Sequence, residues 1–174
     1  MIYPNYQRRF RTRQQGTVRI PTKKLVVFEL GCEKYAISIE RVQRVLNEFI
    51  PYGSLRGGQS LVRYHEEIIT LIDFSQFFLG SNDERGRNYL IVCTLTTSER
   101  LGIPVPTLPK ILEVPAAQFE EIPQVYRQGA LHQAVEKLIH IPDGTEVFYL
   151  NLDATLGRSK QGEKTIENSM KYSG

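Results

Sequence analysis

Three histidines, two cysteines and a recurring aspartate are the residues of this chain whose chemistry could go beyond packing. His65, His132 and His140 have no second histidine four residues away and no cysteine nearby, so they do not form the spaced ligand sets that hold zinc. His65 with Glu66 and Glu67 could form an acid–base cluster. On a strand, however, neighbours alternate faces, which puts His65 and Glu67 on one side and Glu66 on the other, and an exposed polar hairpin end is the better reading. Cys32 and Cys93 lie in strand-like runs without the close pairing of a redox or metal motif, as expected of reduced, core-type thiols. Cys93 sits mid-run, away from the exposed turn that an activated nucleophile occupies. Asp73 and Asp153 each end an apolar run that leads into a helical turn, where a carboxylate accepts from free amides, and capping accounts for both. Gly57-Gly58 is not followed by the Lys-Ser/Thr pair of a phosphate loop and reads as a plain turn. No motif for a catalytic site, a cofactor, a metal or a small-molecule substrate emerges, and the reading is of a protein that is not an enzyme.

The elements that position these residues are strands. Leu25 to Leu30, a turn over Gly31 to Lys34, and Tyr35 to Ile39, with Tyr35, Ile37 and Ile39 on one face, predict a β-hairpin. Ser38 is placed to cap a short helix carrying Val42, Val45, Leu46 and Phe49 at spacings of three and four. Glu67 to Ile72 is a strand closed by Asp73 and a short helix-like tail ending at Gly80. After the polar connector Ser81 to Arg87 the pattern restarts. Tyr89 to Leu95 is a strand, and Leu101-Gly102-Ile103-Pro104-Val105 repeats Tyr35-Ala36-Ile37-Ser38-Ile39 at an offset of 66, which also carries Val42, Val45 and Leu46 onto Leu108, Ile111 and Leu112. Pro104, Pro106 and Pro109 forbid a helix in the second copy. Pro115 to Ile122 reads as a short helix, and Gly129 to Leu138 is ambiguous between helix and strand. Glu146 to Asp153 echoes the Glu66 to Asp73 stretch at an offset of 80. That alignment matches Ile68, Thr70 and Ile72 to Phe148, Leu150 and Leu152 as the inward face. It leaves Ile69 and Leu71 as a second apolar face needing cover from the other half of the protein or from a partner.

At 174 residues, 41% hydrophobic and 24% charged, the chain can bury a core and has the composition of a soluble globular protein. No run approaches the roughly 18 apolar residues of a membrane span, and the basic start is not followed by the apolar segment of a secretory signal, so a cytoplasmic location is expected. The net charge of +3 hides an asymmetry: the first 24 residues hold seven basic residues and no acid, leaving 15 basic against 19 acidic residues elsewhere. Residues 1–22 therefore read as a basic arm, with Tyr3, Tyr6 and Phe10 interleaved. Its bland role is solubilisation; its functional alternative is contact with nucleic acid or an anionic membrane, which would make the chain a β-barrel nucleic-acid binder.

From about Lys24 to Gly157 the sequence resembles the CheW-like adaptor domain of bacterial chemotaxis. The resemblance is carried by VVFELGCEKYAISIERVQRVL, by EIITLIDF with its short helix and Gly80, by YLIVCTLTTSERLGIPV and by EVFYLNLDATL. It implies a mainly β fold of two five-stranded β-barrels of the Src-homology-3 kind packed on a shared apolar seam, with a few short helices. The expected bounds are 23–157 for the domain, about 23–80 and 88–157 for the barrels, and 158–174 for a polar tail. The implied role is a non-catalytic adaptor between a CheA-type histidine kinase and the cytoplasmic tip of a methyl-accepting chemoreceptor or a related sensor. The positions that match the receptor groove are Ile39, Val42, Arg44 and Val45, with Leu108 and Ile111 from the second half; that Val42 and Val45 only pack on their own barrel is the alternative. Two departures lie near surfaces the family uses: His65-Glu66 stands where Arg-Gly is usual, and Val105-Pro106-Thr107-Leu108 replaces Val-Asp-x-Val. They fit a divergent adaptor of a phototaxis or twitching-pilus pathway and add His65 and Glu66, with Ile69 and Leu71, to the candidate contact residues.

Overall fold

The computed structural model describes residues 18–55, 59–79, 83–126 and 133–155. Most of the basic arm, Gly57-Gly58, Gly80, His132 and the polar tail lie outside them. The strands are β1 (Thr22–Leu30), β2 (Glu33–Ser38), β3 (Val42–Leu46), β4 (Pro51–Leu55), β5 (Gln59–Tyr64), β6 (Glu67–Ile72), β7 (Tyr89–Thr94), β8 (Arg100–Val105), β9 (Lys110–Pro115), β10 (Phe119–Glu120), β11 (Val135–His140) and β12 (Glu146–Leu150). Helical structure among the described residues is confined to short turns, including Ile39–Arg41 and Ser75–Leu79.

Two curled six-stranded sheets result, in the orders β10-β11-β12-β2-β1-β9 and β4-β5-β6-β8-β7-β3. The orders are the same when β1–β6 are replaced by β7–β12 and the reverse, so the two halves repeat as expected. Yet neither sheet is one half of the chain, and this corrects the division at 80–88. The hairpin β1–β2 joins β9–β12, and the hairpin β7–β8 joins β3–β6: each half lends its first hairpin to the other. A local period of two says which face of a strand is buried but not which sheet receives the strand.

The register brings a second correction. Phe148 lies beside Tyr35 and Thr70 beside Leu101, and Tyr149 beside Ala36 as Leu71 is beside Gly102. The true equivalents are therefore Thr70 and Phe148, Leu71 and Tyr149, an offset of 78. The echo at 80 is slipped by two residues, and a slip of two keeps every side chain on its face, so alternation alone cannot reveal it.

Burial follows the true register. Ile69 and Leu71 are enclosed, at 0% and 1% exposure, with Val62, Leu90 and Val92 inside one barrel, while Ile68 is 59% exposed. Leu25, Ala36, Val114, Ile139 and Val147 fill the other barrel. Between the sheets lies the seam, in which Val26, Phe28, Tyr35, Ile37, Ile72, Ile91, Ile103, Phe148 and Leu150 take part. Ile72, Phe148, Leu150 and Leu152 thus face inward as expected, Ile68 does not, and the second apolar face of β6 is covered by its own barrel. Tyr35 is the pivot of the seam: its buried ring stacks on Phe28 and Phe78 at 6.1 and 5.4 Å and leans on Phe148 at 5.6 Å.

The helix expected after Ser38 is a single turn followed by β3, and Ser38 makes no side-chain cap. A bulge explains the misleading spacing. Val42 pairs with Cys93 and Val45 with Ile91, both seam residues, because the register shifts between Val42 and Arg44. The inserted residue puts positions three apart on one face, as a helix would. Pro115 to Ile122 is likewise a single turn, Ala116–Gln118, followed by the two-residue β10. Cys93 is buried as expected, whereas Cys32 is exposed in the β1–β2 turn.

Candidate partner-binding surface

Residues paired across strands share a face, so the sheet pairing places the candidate contacts directly. Val45 pairs with Ile91, and Ile111 with Val26. Ile91 and Val26 belong to the seam, so Val45 and Ile111 continue the seam face onto the outermost strands β3 and β9. There the cover ends: Val45 is 36% exposed, Ile111 67% and Leu108, just before β9, 60%. The two are equivalent in the repeat at the offset of 66, so each sheet carries one unsheltered apolar residue on the same edge. Val42 and Ile39 are half-buried against the seam, and Ile39 also lines a cavity of about 400 Å³ with Lys24, Glu113 and Tyr149.

Arg44 falls on the other face of β3, opposite Val92, at the mouth of the β3–β8 barrel. Its Nη1 donates to Tyr64 Oη at 2.6 Å and its guanidinium lies 5.1 Å above the Tyr64 ring. Since β3 and β5 stand far apart in the sheet order, this contact helps to close the barrel. His65 packs edge-on against the same ring at 4.2 Å. It occupies the two-residue turn between β5 and β6 with Glu66, in the left-handed region at φ 53, which is uncommon outside glycine. Arg44 and His65 are thus joined through Tyr64, a residue the sequence reading did not select; the alternation of β5, which turns Val62 and Tyr64 to one face, carried the signal. Ile69 and Leu71, enclosed in the barrel, present nothing to a partner and leave the candidate surface.

Cys93, His140, Asp73 and Asp153, among the groups singled out for chemistry, have structural employment. Burial pushes the Cys93 thiol up to about 12, which keeps it protonated. His140 stands on β11 between Glu120, at 3.2 Å, and Glu146, at 3.7 Å. Among the described residues no group of three or more His, Cys, Asp or Glu is placed to hold a metal ion. Asp73 caps its turn: Oδ1 accepts from Ser75 N at 3.0 Å and Gln76 N at 3.3 Å, and Oδ2 pairs with Arg87. In the second copy the cap belongs to Asn151, whose Oδ1 accepts from Asp153 N and Ala154 N at 3.1 and 3.3 Å. Asn151 is the equivalent of Asp73 at the true offset.

Asp153 is thereby free for another task. Its Oδ1 accepts from Thr96 N and Oγ1 at 2.8 and 2.7 Å, and its Oδ2 meets Arg41 Nη2 at 3.2 Å. Asp83 does the same elsewhere: its Oδ2 accepts from Gly31 N at 2.8 Å and from Arg85 Nη2 at 2.9 Å. Hydrogen bonding from Arg85 holds the Asp83 carboxyl well below the usual carboxylate range, against the opposing effect of burial. Burial opposes ionisation of Asp153 most strongly, but Thr96 and Arg41 together outweigh it and its pKa is also lowered. A carboxyl whose folded pKa lies below its unfolded value supplies stability above the unfolded value of about 3.9, and that stability is lost as pH falls towards the folded one. Thermal melts from neutral pH downward are expected to show Tm falling below about pH 4, with a shallower acid limb when both aspartates are replaced by Asn; an unchanged limb in that double variant would remove these carboxylates from the acid response.

With the geometry in place, comparison with known proteins is informative. The CheW-like domain family matches residues 24–160. Among solved structures, the scaffolding protein TtCheW from Thermoanaerobacter tengcongensis superposes with a TM-score of 0.65 at 20% identity, covering 76% of this chain and 90% of that one. At that identity the likeness speaks for the fold. The chain has no match among curated protein sequences.

Proposed function

The chain belongs to the CheW-like domain family, and from that premise we propose that it is a non-catalytic adaptor of a taxis or motility pathway, coupling a CheA-type histidine kinase to the cytoplasmic tip of a chemoreceptor or a related sensor. One observation carries the reading: Val45 and Ile111 continue an otherwise sheltered apolar seam onto two exposed strand edges. Apolar side chains on such a rim gain from a partner that finishes covering them. A receptor tip that presents an apolar helical face suits this rim. Arg44, tied to Tyr64 and through it to the His65-Glu66 turn, sets the polar border on the other face of β3, so a change in the turn would be felt at Arg44.

Ile111→Asp and Val45→Asp place a charge on exposed rim positions. They are expected to weaken capture of the receptor tip about tenfold or more, as loss of an interface anchor does, while stability changes by no more than about 0.5 kcal/mol in Ile111→Asp and by about 1 kcal/mol in Val45→Asp, whose side chain is largely covered by its neighbours. Titration of kinase–receptor complexes from the source cell with each variant checks this. Wild-type affinity in both variants would remove the rim from the interface, and failure of the wild-type protein to join either partner would overturn the adaptor reading.

A further inference from the structure

The Asp153 and Asp83 contacts are related by the repeat. Residues of β1 correspond to those of β7 at an offset of 65, as the pairings Leu25 with Ser38 and Leu90 with Pro104 show. At that offset Gly31 falls on Thr96. Both lie just past the first strand of a hairpin that has been lent to the other sheet, Gly31 one residue after β1 and Thr96 two after β7, and in both the backbone amide donates to an aspartate at 2.8 Å. Each aspartate follows the sheet that receives the hairpin's neighbours: Asp83 comes after β6 and holds the β1–β2 turn, and Asp153 comes after β12 and holds the β7–β8 turn. Each contact therefore bridges the two sheets beside the seam. Each is closed by an arginine, Arg85 to Asp83 and Arg41 to Asp153. Arg85 adds Gly31 O at 3.0 Å and Glu29 at 3.2 Å. The two aspartates are not equivalent in the repeat, so two different sequence solutions meet the same requirement.

We propose that these two clasps are a conformational device that locks the sheets at one angle, and that opening the Arg41–Asp153 clasp lets the edge strand β3 move against the sheet that holds β9. Arg41 lies in the one turn between β2 and β3, where the chain passes from one sheet to the other. The seam itself is apolar and fixes no angle by direction; the hydrogen bonds of the clasps are directional and partly exposed, so they break at lower cost than the seam.

The test places spin labels at Gln43 on β3 and Lys110 on β9, both exposed, in the full chain with Cys32→Ser. Distances are measured by electron–electron resonance in the parent, Asp83→Ala, Asp153→Ala and the double variant. Losing a hydrogen bond to a charged group is expected to raise the open population about tenfold, seen as a second, broader distance component that is largest in the double variant. The amides of Gly31 and Thr96 exchange faster, each in its own variant. Val114→Ala, which destabilises from inside a barrel, keeps the parent distribution. Should Asp→Ala not fold, Asp→Asn, which drops the ion pair but keeps an acceptor for the amide, is read by the distance distribution alone. A double variant with the parent's distribution overturns the proposal, as does a Val114→Ala variant that broadens equally.

Discussion

Replacing Tyr35 with alanine is expected to cost about 3–5 kcal/mol in denaturant unfolding, the range for removing a large ring from a packed core, and to lower Tm by about 10 °C in a domain of this size. The ring is fully buried at the centre of the seam and touches Phe28 and Phe148 from two different stretches of chain. Deleting it leaves a cavity that the rigid neighbouring strands cannot close. Folded domains retain only about 5–15 kcal/mol, so the loss is a large share of the total. The hydroxyl is a smaller matter. It donates to Glu33, which is half-buried and has water as an alternative partner, so Tyr35→Phe is expected to cost about 1 kcal/mol. Equal costs for the two variants would show that the hydrogen bond, rather than the ring, holds the sheets together.

How much of this was legible in the sequence depends on what a period of two can encode. The strands at Leu25, Tyr35, Glu67, Tyr89, Leu101 and Glu146 were readable because one side chain in two meets apolar surroundings. Glycine and proline marked their ends. The exchange of hairpins was not readable, because nothing in Tyr35-Ala36-Ile37 names the sheet that will receive it. The bulge at Val42 made a strand imitate a helix, and so hid that Arg44 turns away from Val42 and Val45 towards Tyr64. The rim was readable as far as Leu108 and Ile111 by repetition. That they are exposed, at 60% and 67%, follows only from β9 being a sheet edge. Asp153 looked like a cap because it sits where a cap would; the two-residue slip gave that task to Asn151.

The same slip reverses the expected ranking within one strand, and this gives a second large effect. Alignment at 80 makes Ile68 a core residue and leaves Ile69 and Leu71 available to a partner; alignment at 78 makes Ile68 the equivalent of the exposed Glu146. Ile69→Asp puts a carboxylate among the apolar side chains of Val62, Leu71, Leu90 and Val92. A buried unpaired charge costs more than about 4–5 kcal/mol or forces the group to stay protonated, so the variant is expected to lose cooperative folding at neutral pH and to regain part of it in mild acid. Ile68→Asp changes an exposed position and is expected to stay within about 0.5 kcal/mol of the parent. Leu71→Asp follows Ile69, whereas Tyr149→Asp falls between the extremes because its ring is half-buried against Phe119 and shares the Lys23 ammonium with it. Unfolding curves of the four variants decide the register without a partner or an activity assay. If Ile68→Asp unfolds the protein and Ile69→Asp does not, the alignment at 80 describes the strand, and Ile69 and Leu71 return to the candidate contact surface, while Ile72, on the same face as Ile68, keeps its place in the seam.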